Sequence, residues 1–125
     1  MENANPAHDW IHYPERLWPA TRRRGLDLRA MDRTPLAPDA IAAALRDLPG
    51  WELREGSLHR DVELADFRAA FAFMTRVAFE AEDLNHHPAW SNVWNRVSID
   101  LSTHDSGGIT GLDVELARRI STIST

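Results

Sequence analysis

The sequence predicts an α+β domain with the element order α-β-β-α-β-β-α, a four-stranded antiparallel sheet with three helices packed on one face. Three observations lead there. Two stretches alternate apolar and polar residues, each next to a second short strand-like run, as hairpins do. One long amphipathic segment separates the two hairpins. Helical spacing then recurs at both ends of the region that begins near Pro35.

Taken in order, Pro38 suits the first turn of a helix, and Ile41, Leu45 and Leu48 follow at helical spacing before Pro49-Gly50 ends it. Residues 51–54 read as a short strand and Glu55-Gly56 as a turn. Residues 57–64 read as a second strand, with Leu58, Val62 and Leu64 on one face and His59, Asp61 and Glu63 on the other. The longest helix is expected over residues 66–84 with Asp66 as N-cap. Its apolar stripe is read as Phe67, Ala70, Phe71, Met74, Val77, Ala78 and Ala81. Phe73 and Phe79 fall off that stripe, extra apolar surface that points to a subunit interface. Pro88 disfavours helix at His87, so the helix must end before it. Strands are expected around residues 90–95 and 97–103, the latter alternating Val97, Ile99 and Leu101 with Ser98, Asp100 and Ser102. Gly107-Gly108 is a loop, and Thr110 opens a last helix with Leu116, Ile120 and Ile123 on one face.

A chain of 125 residues fits one such domain, placed at residues 35–125. Residues 1–34 differ, with Trp10, Tyr13, Trp18, the run Arg22-Arg23-Arg24 and no clear period; they read as an extension, either a solvated tail or a docking arm. A net charge of -5 argues against a nucleic-acid partner, since phosphate binding wants a basic surface. With no cysteine there are no disulfides or thiolate metal sites. No apolar run approaches the length of a membrane span, and the N-terminus has neither a signal-peptide core nor the acid-poor composition of a transit peptide, so a cytoplasmic protein is expected.

The chemistry is concentrated in two stretches, from Glu82 to Trp90 and from Leu101 to His104. If the last two strands form a hairpin turning near Asn95-Arg96, antiparallel pairing sets His104 opposite His87, 17 residues away in sequence. His86, His87 and His104 would then converge, and a slip of two residues would not separate them. Glu82 lies four residues before His86 on the same helical face, where it could orient a histidine or accept a ligand hydrogen bond. Asp113 stands at the start of the last helix, and Thr110-Gly-Leu-Asp113 also has the form of a capping box.

These residues resemble the pterin-4a-carbinolamine dehydratases. The resemblance is carried by Leu48-Pro49-Gly50-Trp51, Phe73-Met74-Thr75-Arg76-Val77-Ala78, Ala81-Glu82, His86-His87-Pro88, Trp90, Asn92-Val93 and Leu101-Ser102-Thr103-His104, with the interval from His87 to His104 agreeing. It covers roughly residues 36–123. It implies removal of water from a 4a-hydroxytetrahydropterin (4a-hydroxytetrahydrobiopterin) to give a quinonoid dihydropterin. That step would recycle the pterin of an aromatic amino acid hydroxylase, the expected pathway partner. It implies a homodimer through sheet edges or a homotetramer through the long helix. No redox cofactor is needed, because no electrons leave. By resemblance, His86 and His104 are the acid–base residues, and His87 positions the pterin with some share in proton transfer. Glu82 would accept hydrogen bonds or hold a histidine, Trp90 would form an apolar wall, and Ser102 and Thr103 would offer backbone polar groups. Asp113 matches an active-site aspartate. Asn85 stands where relatives commonly carry Asp.

Histidine suits both proton transfers, because its ordinary pKa of about 6.5 lets it give or take a proton near neutrality. Two rival readings are set against this one. Three histidines and Glu82 have zinc-donor chemistry, but adjacent residues point apart and the resembled family uses no metal, so none is expected. A non-catalytic dimerisation or assembly scaffold on the same fold would have no need of the complete histidine set.

Overall fold

The computed structural model describes residues 33–124. The extension expected over residues 1–34 lies outside the described residues except for its last two. The element order is helix α1 (Pro38–Arg46), strands β1 (Glu52–Arg54) and β2 (Ser57–Glu63), helix α2 (Phe67–Leu84), strands β3 (Ala89–Val93) and β4 (Arg96–Leu101), a 3-10 turn (His104–Ser106) and helix α3 (Gly111–Ile123). The strands form one antiparallel sheet in the order β1-β2-β4-β3. This is the α+β fold expected from the sequence.

Pairing explains why one sheet face is buried. Leu58 sits opposite Leu101, Arg60 opposite Ile99 and Val62 opposite Val97, so five aliphatic side chains line the face that receives the helices. All five are buried, against Ala70, Phe73, Val77, Ala81 and Leu84 from α2 and Leu112, Leu116, Ala117 and Ile120 from α3. The alternate residues, His59, Asp61, Ser98 and Asp100, share the opposite face. Helix α1 buries none of its own residues; Leu48, just beyond it, enters the core instead. Trp51 is also buried, and its indole N–H donates to Ser121 Oγ at 3.0 Å, tying the approach to β1 to α3. Between them, Gly50 has φ +87°, and a Cβ there would lie 3.2 Å from Arg60 Nε, so both backbone and space call for glycine.

The stripe of α2 differs from the sequence reading. Phe73 is core, whereas Phe67 and Phe71 are 50% and 60% exposed and rest against each other at 6.0 Å between ring centroids. Phe79 is exposed as expected. Apolar residues surround more than half of this helix, so periodicity allows two overlapping stripes. Packing on the sheet selects the one through Phe73 and Leu84. Asp66 caps the helix, its Oδ1 accepting the Ala69 N–H at 2.8 Å; such a cap contributes about 1 kcal/mol. Arg119 of α3 then ties the two helices together. Its Nη1 donates to Glu80 at 3.0 Å and Asp83 at 2.7 Å, and its Nε donates to Glu115 at 3.2 Å.

The second hairpin also turns one residue earlier than expected, which shifts its pairing register by two. Val93 faces Arg96 and the turn is Trp94-Asn95, with Trp94 at φ +49°. Asn95 fixes the position: its side chain donates to Leu64 O at 3.0 Å and its carbonyl accepts the Leu64 N–H at 2.8 Å. Asn92 closes the loop from within, donating to Trp94 O and Arg96 O. Ala89 therefore faces Asp100, and the ladder, continued, sets Ser102 opposite His87 and Thr103 opposite His86.

Candidate active site

The site begins where α2 stops. Asn85 adopts the left-handed conformation, φ 50° and ψ 42°. The His86 N–H reaches back to Ala81 O at 2.9 Å and the Asn85 N–H to Glu82 O at 3.1 Å, the paired bonds of a Schellman turn. Asparagine tolerates this conformation better than other residues with a Cβ, which gives Asn85 a backbone role. The turn directs the adjacent histidines apart: His86 is 8% exposed, while His87 stands in solvent.

Inside, His86 meets the start of α3. Its Nε2 lies 2.5 Å from Asp113 Oδ1. Asp113 is fully buried, and its Oδ2 accepts the Thr110 N–H at 2.9 Å and the Thr103 hydroxyl at 2.8 Å. Thr110 caps α3 by accepting the Leu112 N–H, so the expected capping box is formed. The same carboxylate thus caps the helix and holds the histidine. Both its oxygens accept from protein donors, one of them the His86 ring. Among the described residues no buried side-chain N or O lacks a partner, and His86 Nδ1 makes no hydrogen bond there; Nδ1 is therefore open to solvent.

The remaining residues surround this pair. Thr103 shares Asp113 with His86 and directly precedes His104, so one carboxylate joins the two distant stretches of sequence. His104 is exposed at the head of the 3-10 turn. Glu82 pairs with His87, Oε2 to Nε2 at 3.3 Å, and not with His86, because the left-handed turn carries His86 off the helical face. Both members of that pair are exposed. Trp90 is half-buried opposite Ile99, on the helix side of the edge strand. Thr103 bonds to Gly108 through its own N–H at 2.9 Å, and its carbonyl accepts from Ser106 and Gly108. Of the two backbone positions considered for a ligand edge, Ser102 is thus the less committed.

Comparison with known proteins places the chain in a family. Residues 34–123 match the family model described as pterin 4 alpha carbinolamine dehydratase. The chain belongs to that family. A relative from Solibacter usitatus (strain Ellin6076), provisionally named as a pterin-4-alpha-carbinolamine dehydratase, is 48% identical over 91 residues, covering 73% of this chain and 96% of its own. Another with the same provisional name, from Synechococcus sp. (strain WH7803), is 58% identical over 76 residues, covering 61% of this chain and 82% of its own. A crystal structure from Brucella melitensis, described as a transcriptional coactivator/pterin dehydratase, superposes with a TM-score of 0.72 at 38% identity, covering 74% of this chain and all of that one.

This member of the pterin dehydratase family holds a further buried histidine, which the sequence places only on the polar face of a strand. His59, 4% exposed, lies on the outer sheet face. Its Nδ1 is 2.9 Å from Asp100 Oδ1, and its Nε2 is 3.4 Å from Asp61 Oδ1 and 3.1 Å from Arg54 Nη1. Burial pulls its pKa down, but hydrogen bonds to Asp100 and Asp61 and the charge of Asp100 outweigh that and the opposing charge of Arg54, so the net shift is upward. The signal was available: His59 and Asp100 both stand on polar faces of strands, and pairing β2 with β4 sets them side by side. Among the described residues, no three His, Asp or Glu side chains gather in metal-binding geometry, and no helix is long and apolar enough to cross a membrane.

Proposed function

We propose that this chain dehydrates a 4a-hydroxytetrahydropterin by histidine acid–base catalysis. The observation that carries the reading is His86 held by buried Asp113 with Nδ1 open, while Thr103, the neighbour of His104, bonds to the same carboxylate. In the step, an imidazolium proton passes to the hydroxyl on C4a and the C4a–O bond breaks. A second imidazole takes the N5 proton as the C4a=N5 bond forms, and water leaves. His86 and His104 take these two roles, and their order follows the stereochemistry at C4a. His87, oriented by Glu82, positions the pterin, Trp90 forms an apolar wall beside it, and Ser102 offers backbone polar groups. Asp113 and Thr103 act through His86. The product is a quinonoid dihydropterin, which returns to an aromatic amino acid hydroxylase after reduction elsewhere. A cytoplasmic homo-oligomer fits this role, and exposed Phe67, Phe71 and Phe79 offer α2 as its contact face. The domain spans residues 35–125, with residues 1–34 an extension.

The test follows dehydration of a 4a-hydroxytetrahydropterin generated in situ, by absorbance. Each of His86→Ala and His104→Ala should lower turnover by about 10² to 10⁴, the range for one general acid or base. A folded protein that leaves the uncatalysed rate unchanged would overturn the reading. It would favour the second one, a non-catalytic dimerisation or assembly scaffold, to which the coactivator half of the Brucella protein's name lends support.

A further inference from the structure

We propose that the N-cap of α3 sets the tautomer of His86, with Thr103 and Thr110 as positioning residues that act through Asp113. The inference rests on the reading of His86 as an acid–base residue for its effect on turnover; the tautomer itself is independent of it.

The proton count fixes the direction of every bond. A threonine hydroxyl has one proton to donate. That of Thr103 goes to Asp113 Oδ2 at 2.8 Å. In the 2.8 Å contact between Thr103 and Thr110, Thr103 must therefore accept and Thr110 must donate. The Thr110 oxygen accepts in turn from the Leu112 N–H. A one-way chain results, from the first turn of α3 through two hydroxyls into Asp113. The Thr110 N–H enters the same oxygen at 2.9 Å. Asp113 Oδ1 then faces the ring as an acceptor, so the proton of neutral His86 belongs on Nε2.

The consequence falls on the other nitrogen. Neutral His86 presents a bare Nδ1 to the site and works as a base there; protonated, it presents Nδ1–H and works as an acid. Nε2–H stays on Asp113 in both states. Thr103, Thr110 and Asp113 are all buried, so water does not compete for these bonds. Helix capping and catalytic orientation become one arrangement, and a change to either hydroxyl reaches the ring without touching it.

The experiment is a long-range 1H–15N correlation spectrum of the intact protein, recorded at a pH where His86 is neutral, without a pterin. Wild type should show His86 with protonated Nε2 and bare Nδ1. In Asp113→Asn, the amide oxygen keeps the Thr103 and Thr110 donors and the NH2 turns to the ring, so the proton should move to Nδ1, with turnover lower by about 10⁴, as when the orienting carboxylate of a catalytic triad is replaced. Thr103→Val removes one hydroxyl at constant shape. Its ring signals should move toward the average of the two tautomers, with kcat reduced about tenfold and KM unchanged. Wild type carrying Nδ1–H overturns the proposal, as does a Thr103→Val spectrum identical to wild type. Should Asp113→Asn fail to fold, Thr103→Val carries the test. The expected tautomer in a protein without dehydration activity would sink the dehydratase reading and leave this inference standing.

Discussion

His86 and His59 invite direct comparison. Both are buried, both lean on aspartate, and they lie on opposite sides of one sheet. Yet their partners differ in kind. Asp113 is inaccessible and held by three donors, so the ring it faces is fixed in direction while one nitrogen stays open. Asp61 and Asp100 are more than a third exposed, and they engage both nitrogens of His59 together with Arg54. The same residue pair can thus prepare a nitrogen for chemistry or occupy the ring completely. What decides is which atoms remain unclaimed, not how deeply the ring is buried.

Activity should separate the two histidines most. His86→Gln should reduce turnover by about 10² to 10⁴, while His59→Gln should leave it within a few-fold; equal losses in the dehydration assay would erase the distinction. Stability gives the next contrast. Asp113→Ala strands a buried histidine and uncaps α3, and urea unfolding should show a loss of about 3–5 kcal/mol. Asp100→Ala removes a solvent-screened partner and should cost about 1 kcal/mol or less.

The pH dependence of stability isolates His59. The folded-state pKa of His59 is raised, so its contribution to stability is fully present below the unfolded value, about 6.5. It is lost as pH rises through the folded value. Unfolding free energies of wild type and His59→Gln, measured from pH 5.5 to 8.5, should therefore converge as the pH increases; a gap that widens would reverse the assigned sign. The smallest effect is expected from Arg54→Ala. Removing that cation should raise the His59 pKa further, visible by NMR titration, with stability changed by no more than about 0.5 kcal/mol.

Much of this arrangement could be read from local sequence rules. Alternation at Val97, Ile99 and Leu101 identifies a one-sided strand, Asp66 identifies a helix start, and Thr110 with Asp113 identifies a capping box. Each depends on neighbours within a few residues. What the sequence left open depends on contacts across the fold. Phe73 and Phe71 are equally apolar, and only the sheet beneath α2 decides which is covered. The turn moved from Asn95-Arg96 to Trp94-Asn95 because Asn95 bonds to Leu64, 31 residues away. The histidine set was legible as a pattern; that Asp113 faces His86 while Glu82 faces His87 depends on a left-handed residue that periodicity does not report. The His59–Asp100 contact depends on the pairing of two strands 41 residues apart, which neither strand's own alternation reports.

The left-handed turn at Asn85 has a consequence for how the His86-His87 pair tolerates change. Which ring goes inward is counted from the last residue of the helix, and not from either histidine. Were α2 one residue longer, the second histidine would arrive at the inner position and proline would follow where the outer one now stands. Deleting a single residue at this point would bring His87 inward and leave Pro88 in the outer place; inserting one would move His86 to the outer place and leave no histidine inward. The two neighbours are therefore not spares for each other: identical in chemistry, they are told apart by a count.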